Sequence, residues 1–290
     1  MNLKHIITIC IVLALSACKS DYTVHVSPDI IMFSSESYTL GVVDSQEWHE
    51  IPISASDVAD YDRNIGVEVV SVESSAVEGL HYVVESNTLT IPKGKLTAAL
   101  RIRGIADNIN VGEELVIVLN LVLDEANTSE IYGTRSEVTL QRCCAFDINN
   151  FVGYAKVTST WTMQYMNSDA RLVRTVLGDE SNSILIEDMF YDGYDIEVKF
   201  DDSNILEPRV TMDDDQVVGT TGEAFGTIYG DGKLLMREPT GYNSYFGACE
   251  NFMVLYTMMY VGNVGTVGTY VNIFEWITKD EYDRIMREGF

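Results

Sequence analysis

Runs in which apolar and polar residues alternate with a period of two fill the first half of this chain. Only an extended strand can use that period, because its successive side chains point to opposite faces. The stretches Ile51 to Ser54, Val67 to Val72, Thr88 to Ile91 and Leu100 to Arg103 all alternate in this way, whereas Leu115 to Leu123 is more continuously apolar. The first four read as half-buried strands and the last as a strand at the centre of a sandwich. No helical periodicity interrupts the region from Tyr22 to about Leu140. About seven short strands in that span predict an immunoglobulin-like sandwich.

From Phe146 onward the texture changes to aromatics and glycines. Asp192-Gly193, Gly230-Asp231-Gly232 and the run Gly262 to Gly265 separate further candidate strands, among them Phe151 to Met163, Ala224 to Tyr229 and Phe252 to Val261. Asp-Gly and Gly-Asp pairs supply the positive φ of tight hairpins. Eight to ten strands joined this way predict an up-and-down antiparallel barrel. Thr278 and Glu281 make a capping box, and Tyr282, Ile285 and Met286 share one face, so a short helix should close the chain over one end of the barrel.

The N-terminus carries an address. Lys4 and His5 precede a ten-residue apolar run from Ile6 to Leu15, followed by Ser16, Ala17 and Cys18. A run of ten is too short to span a bilayer, which needs about 20 helical residues, and reads as a signal peptide. The stretch Leu15-Ser16-Ala17-Cys18 resembles a bacterial lipobox. The resemblance implies lipidation of Cys18, cleavage before it, and anchoring in the outer membrane, either surface-exposed or facing the periplasm. The expected division is therefore signal peptide 1–17, lipidated tether 18–21, sandwich 22–144 and barrel with its C-terminal helix 145–290.

Charge and histidine content remove several function classes. Lysine and arginine number 19 against 44 aspartates and glutamates, a formal charge of −25. Such a surface repels phosphate, so no nucleic-acid partner is expected. His25, His49 and His81 are the histidines beyond the signal; all precede Phe146 and none has zinc spacing. A Ser-His-Asp arrangement confined to the C-terminal half is thereby excluded. No nucleophile elbow or P-loop is present. Asp201-Asp202 and Asp213-Asp214-Asp215 fall in turns and read as solvated acids rather than as the closely paired carboxyls of a glycosidase. The reading is non-enzymatic, with no cofactor other than a calcium ion considered below. Cys143, Cys144 and Cys249 remain after the signal and the lipidated residue, so one bridge from Cys249 to either Cys143 or Cys144 is open, as are three thiols.

Two resemblances refine the architecture. Ala76 to Tyr82, Leu89 to Gly94, Leu100 to Ile105 and Glu113 to Leu119 together resemble a Calx-β domain over roughly residues 65–140. Some members of that family bind calcium through carboxylates clustered at one end, and Glu78, Asp107, Glu113 and Glu114 fall near those places. His81 stands where the family's turn has aspartate, and solvated loop acids are the alternative for all four. Phe151 to Tyr154, Asn182 to Met189 and Val210 to Gln216 resemble the lipocalin-like C-terminal domain of outer-membrane lipoproteins of unknown function found beside glycan-uptake systems of the starch-utilisation type. The fold class expected is all-β: a Calx-β/immunoglobulin-like sandwich followed by a lipocalin-like antiparallel barrel and a short helix.

Aromatics are the remaining candidates for function. Tyr242, Asn243, Tyr245 and Phe246 lie in a polar, loop-like stretch. Flat rings offer apolar faces to sugar C–H groups, and Asn243 offers hydrogen bonds to hydroxyls. The expectation is an accessory protein binding an extracellular glycan, with polysaccharide or neighbouring outer-membrane proteins as partners. An adhesin-like or structural module, stabilised by calcium, is the alternative.

Overall fold

The computed structural model describes residues 29–123, 128 and 133–289. Cys18 and its tether lie outside these residues. The chain builds two hydrophobic cores, one on each side of residues 143–146.

The first core lies between two sheets. One has the order β1 (Ile31–Phe33), β3 (His49–Ala55), β7 (Thr97–Gly104), β5 (Tyr82–Val84). The other has the order β2 (Ser37–Val42), β9 (Arg135–Arg142), β8 (Glu114–Val122), β4 (Arg63–Val69), β6 (Thr88–Ile91). Strands β2 and β9 are parallel, and the other pairs are antiparallel. Alternation works as expected in β3, where Ile51, Ile53 and Ala55 are buried and Glu50 is exposed. β8 buries residues on both faces, which its continuous apolar run predicts.

The second core fills a barrel. β10 (Gly153–Ser159), β11 (Arg171–Leu177), β12 (Ser183–Glu187), β13 (Ile196–Asp201) and β14 (Arg209–Thr211) follow one another as neighbours. β17 (Ser244–Gly247), β18 (Phe252–Val261) and β19 (Gly265–Ile277) complete the ring, and β19 pairs back onto β10. Eight strands close the wall. An eight-stranded barrel is just wide enough for side chains to fill, and here they do. Phe146, Phe151, Phe200 and Phe246 pack with ring centroids 4.7 to 5.6 Å apart at one end. Trp161, Tyr165, Phe190, Phe225 and Tyr270 fill the other.

β15 (Gln216–Thr220) and β16 (Lys233–Arg237) form a hairpin that pairs with the second half of β18, where β17 has ended. Its outer strand reaches β13 through one side chain. The Gln216 carboxamide accepts the Glu197 N–H at 2.8 Å and donates to the Glu197 carbonyl at 2.8 Å, as a peptide group would. Gln216→Ala is expected to lower stability by about 1–2 kcal/mol in denaturant titration, because both Glu197 backbone groups lose their partner.

Three expectations need correction. Ala224 to Tyr229 is not a strand: Thr221–Phe225 forms a short helix, α1, whose capping box joins Thr220 and Glu223 and whose C-terminal Gly226 is left-handed at φ 69°. The strand expected from Phe151 to Met163 stops at Ser159 and gives way to a π-helical turn, Thr162–Met166. The final helix α2 (Lys279–Glu288) forms with its Thr278 cap. It lies on the outer wall, its Tyr282 ring 4.2 Å from the outward-facing Tyr154 of β10. Ile285 is buried in that contact region, while Met286 is 63% exposed.

Candidate functional site

Strand β18 departs from the alternation of a water-facing barrel wall. Its inward residues Met253, Leu255, Thr257 and Met259 are buried. Its outward residues are Phe252, Val254, Tyr256, Met258 and Tyr260, apolar or aromatic without exception. A strand bordering water on one face should carry polar residues there, whereas this row is apolar and half-buried, with Val254 at 7% exposure covered by its neighbours. Tyr260 is pinned at its far end. Its hydroxyl donates to Asp215 and the Arg237 guanidinium stacks over its ring at 4.9 Å. Burial, then Asp215, pushes its pKa up to about 12.

Two more rings join the row. Tyr245, on β17, faces outward across from Val254, and Tyr242 comes from the loop before it. Tyr242 pairs with Tyr256 at 5.2 Å, and Tyr245 meets Phe252 edge-on at 6.1 Å. Tyr242 is 53% exposed and Tyr245 41%. Asn243 is exposed between them. Phe252 is held in place from below, since its ring lies where a Cβ on Gly247 would project.

Phe246 does not belong to this platform. It is 2% exposed and packs inside the barrel against Phe146 and Phe200. The reason is the strand period: the stretch is β17 rather than loop, so Tyr245 and Phe246 must face opposite sides.

Phe252 also lines a cleft of about 690 Å³ between the two domains. Among its apolar lining residues are Ile205, Leu206, Phe252 and an edge of Phe246 on the barrel side and Val43 and Val111 on the sandwich side. Ile205, Leu206 and the Cys143 sulfur crowd onto Gly41 of β2, where a Cβ would sit 2.8 Å from Ile205 Cγ2. Cys144 is bridged to Cys249, tying the interdomain segment to the β17–β18 loop, and Cys143 is a free thiol whose pKa burial raises. The sequence left three outcomes open, a bridge from Cys249 to Cys143, one to Cys144, or three thiols, and the structure has the second.

The four carboxylates considered for calcium are dispersed. Glu113 and Glu114 line the cleft. Glu113 accepts from the Asn110 backbone and side chain, and Glu114 accepts from the Gln141 carboxamide. Glu78 lines a separate cavity on the sandwich, and Asp107 sits in a single helical turn at Ala106–Asn108. Among the described residues no group of three or more His, Cys, Asp and Glu is placed to hold a metal. His81 closes its own turn, its Nδ1 accepting the Val77 N–H at 3.0 Å, a task an aspartate could perform in its place.

The acidic turns of the barrel have structural partners. Asp201 accepts from the Ser203 N–H at 3.0 Å. Bonds from the Ser203 hydroxyl and then its backbone hold the Asp201 carboxyl below the usual range, opposite to what a glycosidic acid needs. Asp213 is paired with Lys199 at 3.0 Å. Burial raises the Glu238 carboxyl, which accepts the Met212 N–H at 3.2 Å and so ties the segment after β14.

Residues 131–288 match the family described as a domain of unknown function, DUF4984. No curated protein matches the chain. Among solved structures it is similar to a candidate carbohydrate-binding protein of Bacteroides ovatus, with 14% identity, 83% of this chain and 67% of that one covered, and a TM-score of 0.33. A Bacteroides ovatus protein of unknown function is 11% identical over 86% and 90%, with a TM-score of 0.36. The apo Calx CBD1 domain is 18% identical over 40% and 98%, with a TM-score of 0.33.

Proposed function

We propose that this chain, which belongs to the DUF4984 family of domains of unknown function, is a non-catalytic binding module that takes a glycan on the outer wall of its barrel. The observation that carries the reading is the set of outward rings Tyr242, Tyr245, Tyr256 and Phe252, arranged as two contacting pairs on neighbouring strands. Rings of this size would ordinarily be buried. Here Tyr242 and Tyr245 keep about half of their surface in water while the barrel's interior is already filled by other aromatics. A sugar ring stacked on such faces removes apolar surface on both partners, and the phenolic hydroxyls and Asn243 stand at the edges to bond its hydroxyls. Cys18 carries the lipid in this reading and holds the module at the outer membrane, where polysaccharide and neighbouring outer-membrane proteins are its partners.

Affinity electrophoresis through starch, laminarin and galactomannan tests it. The wild-type protein should be retarded by at least one of these polymers, and Tyr245→Ala should weaken that binding at least tenfold, about 1.4 kcal/mol. Retardation by none of the three, or equal retardation of wild type and variant, would sink the reading.

A further inference from the structure

We infer that the glycan track runs from the outer rings over Phe252 into the interdomain cleft, and that the cleft selects uncharged or amine-bearing sugar units against acidic ones. The inference rests on the glycan-binding reading and adds to it a second segment of site and a substrate class.

Continuity comes from Phe252. Its ring is the edge-on neighbour of Tyr245 at 6.1 Å on the platform side. It is also part of the cleft lining, so one side chain belongs to both surfaces. A chain-like ligand stacked on Tyr245 therefore meets the cleft within one further ring. The cleft holds about 690 Å³, enough for a small oligosaccharide segment, since ligand pockets span roughly 300–1,000 Å³.

Selectivity comes from the charges that face this space. The sandwich contributes Asp44, Glu47, Glu113 and Glu114, and the barrel contributes Asp202 and Glu250. Arg142 is the one cation among the described lining residues, and it is already engaged. It donates to the Ala106 carbonyl at 2.7 Å and sits 3.6 Å from the Asp44 carboxylate. A uronate or sulfate brought into the cleft would meet carboxylates from both domains and no free guanidinium. Low-dielectric walls such as Ile205 and Phe252 lengthen the reach of that repulsion. Neutral hydroxyls are accepted by the same carboxylate oxygens as hydrogen-bond donors, and an amine gains a charge partner.

The test compares starch, laminarin and galactomannan with the same three polymers oxidised at C6 to the uronate form, in affinity gels of the full chain. The variant Asp202→Asn/Glu250→Gln removes two barrel-side charges that have no structural bond to lose. At least one native polymer should retard the wild type, and its oxidised form should bind at least tenfold more weakly. The double variant should recover at least threefold of binding to the oxidised form. Equal retention of native and oxidised polymer by the wild type overturns the cleft assignment while leaving the platform standing. So does discrimination that the variant leaves unchanged. Retention of no native polymer removes the glycan reading and this inference with it.

Discussion

Truncating Phe246 to alanine is expected to cost about 3–5 kcal/mol of stability, the range for large aromatics removed from well-packed cores. Phe246 is 2% exposed, and its ring lies 5.0 Å from Phe146, 5.5 Å from Phe151 and 5.0 Å from Phe200. Those rings come from the interdomain segment, the turn before β10 and the end of β13, so no single element can move inward to fill the hole. Tyr245→Ala, one residue away, should change stability by less than about 0.5 kcal/mol, as an exposed surface substitution does. Urea denaturation followed by far-ultraviolet circular dichroism would measure both. A small loss for Phe246→Ala would mean that the ring faces the platform and the strand register is wrong.

Cutting the Cys144–Cys249 bridge is expected to cost about 2–5 kcal/mol. The two cysteines are 105 residues apart in sequence, and the chain-entropy treatment assigns about 4.7 kcal/mol to a loop of 100 residues. The loop contains most of the barrel, so its closure in the unfolded chain is a large constraint. In calorimetry the wild type should melt lower in dithiothreitol, while Cys144→Ser should melt low in both conditions and Cys143→Ser should still respond to reductant. Loss of the response in Cys143→Ser instead of Cys144→Ser would reassign the bridge.

Much of the architecture was legible because the apolar patterning of a strand, alternating or continuous, is a local property. β3, β8 and β18 could each be read from their own residues, and the Asp-Gly and Gly-Asp turns marked the hairpins between barrel strands. What escaped was set by neighbours distant in sequence. Tyr242, Asn243, Tyr245 and Phe246 looked like one loop because Asn243, Ser244 and Gly247 dilute the strand signal. Once β17 pairs with β14 and β18, the period of two divides Tyr245 from Phe246. α1 was hidden for a related reason. Ala224 to Tyr229 is apolar enough to pass for a strand, although Thr220 and Glu223 already carried the capping box that starts the helix.

Phe252 and Tyr256 were within reach of the sequence and were missed as site residues. β18 reads Phe-Met-Val-Leu-Tyr-Thr-Met-Met-Tyr-Val, apolar on both faces, which a barrel strand bordering water has no structural need to be. The interdomain cleft had no such signal. Its lining comes from loops of both domains that share no period and no motif, and their meeting depends on Gly41 admitting Ile205 and Leu206. The choice between Cys143 and Cys144 was equally closed to sequence, since adjacent cysteines differ only in where their side chains end up.

Binding at the outer rings is the central claim, and isothermal titration with an oligosaccharide of whichever polymer retards the wild type tests it most directly. The account predicts a saturable isotherm for the wild type and at least a tenfold loss of affinity in Tyr242→Ala/Tyr245→Ala, with the melting temperature of the variant unchanged. An isotherm identical in the two proteins, with both folded, would contradict it.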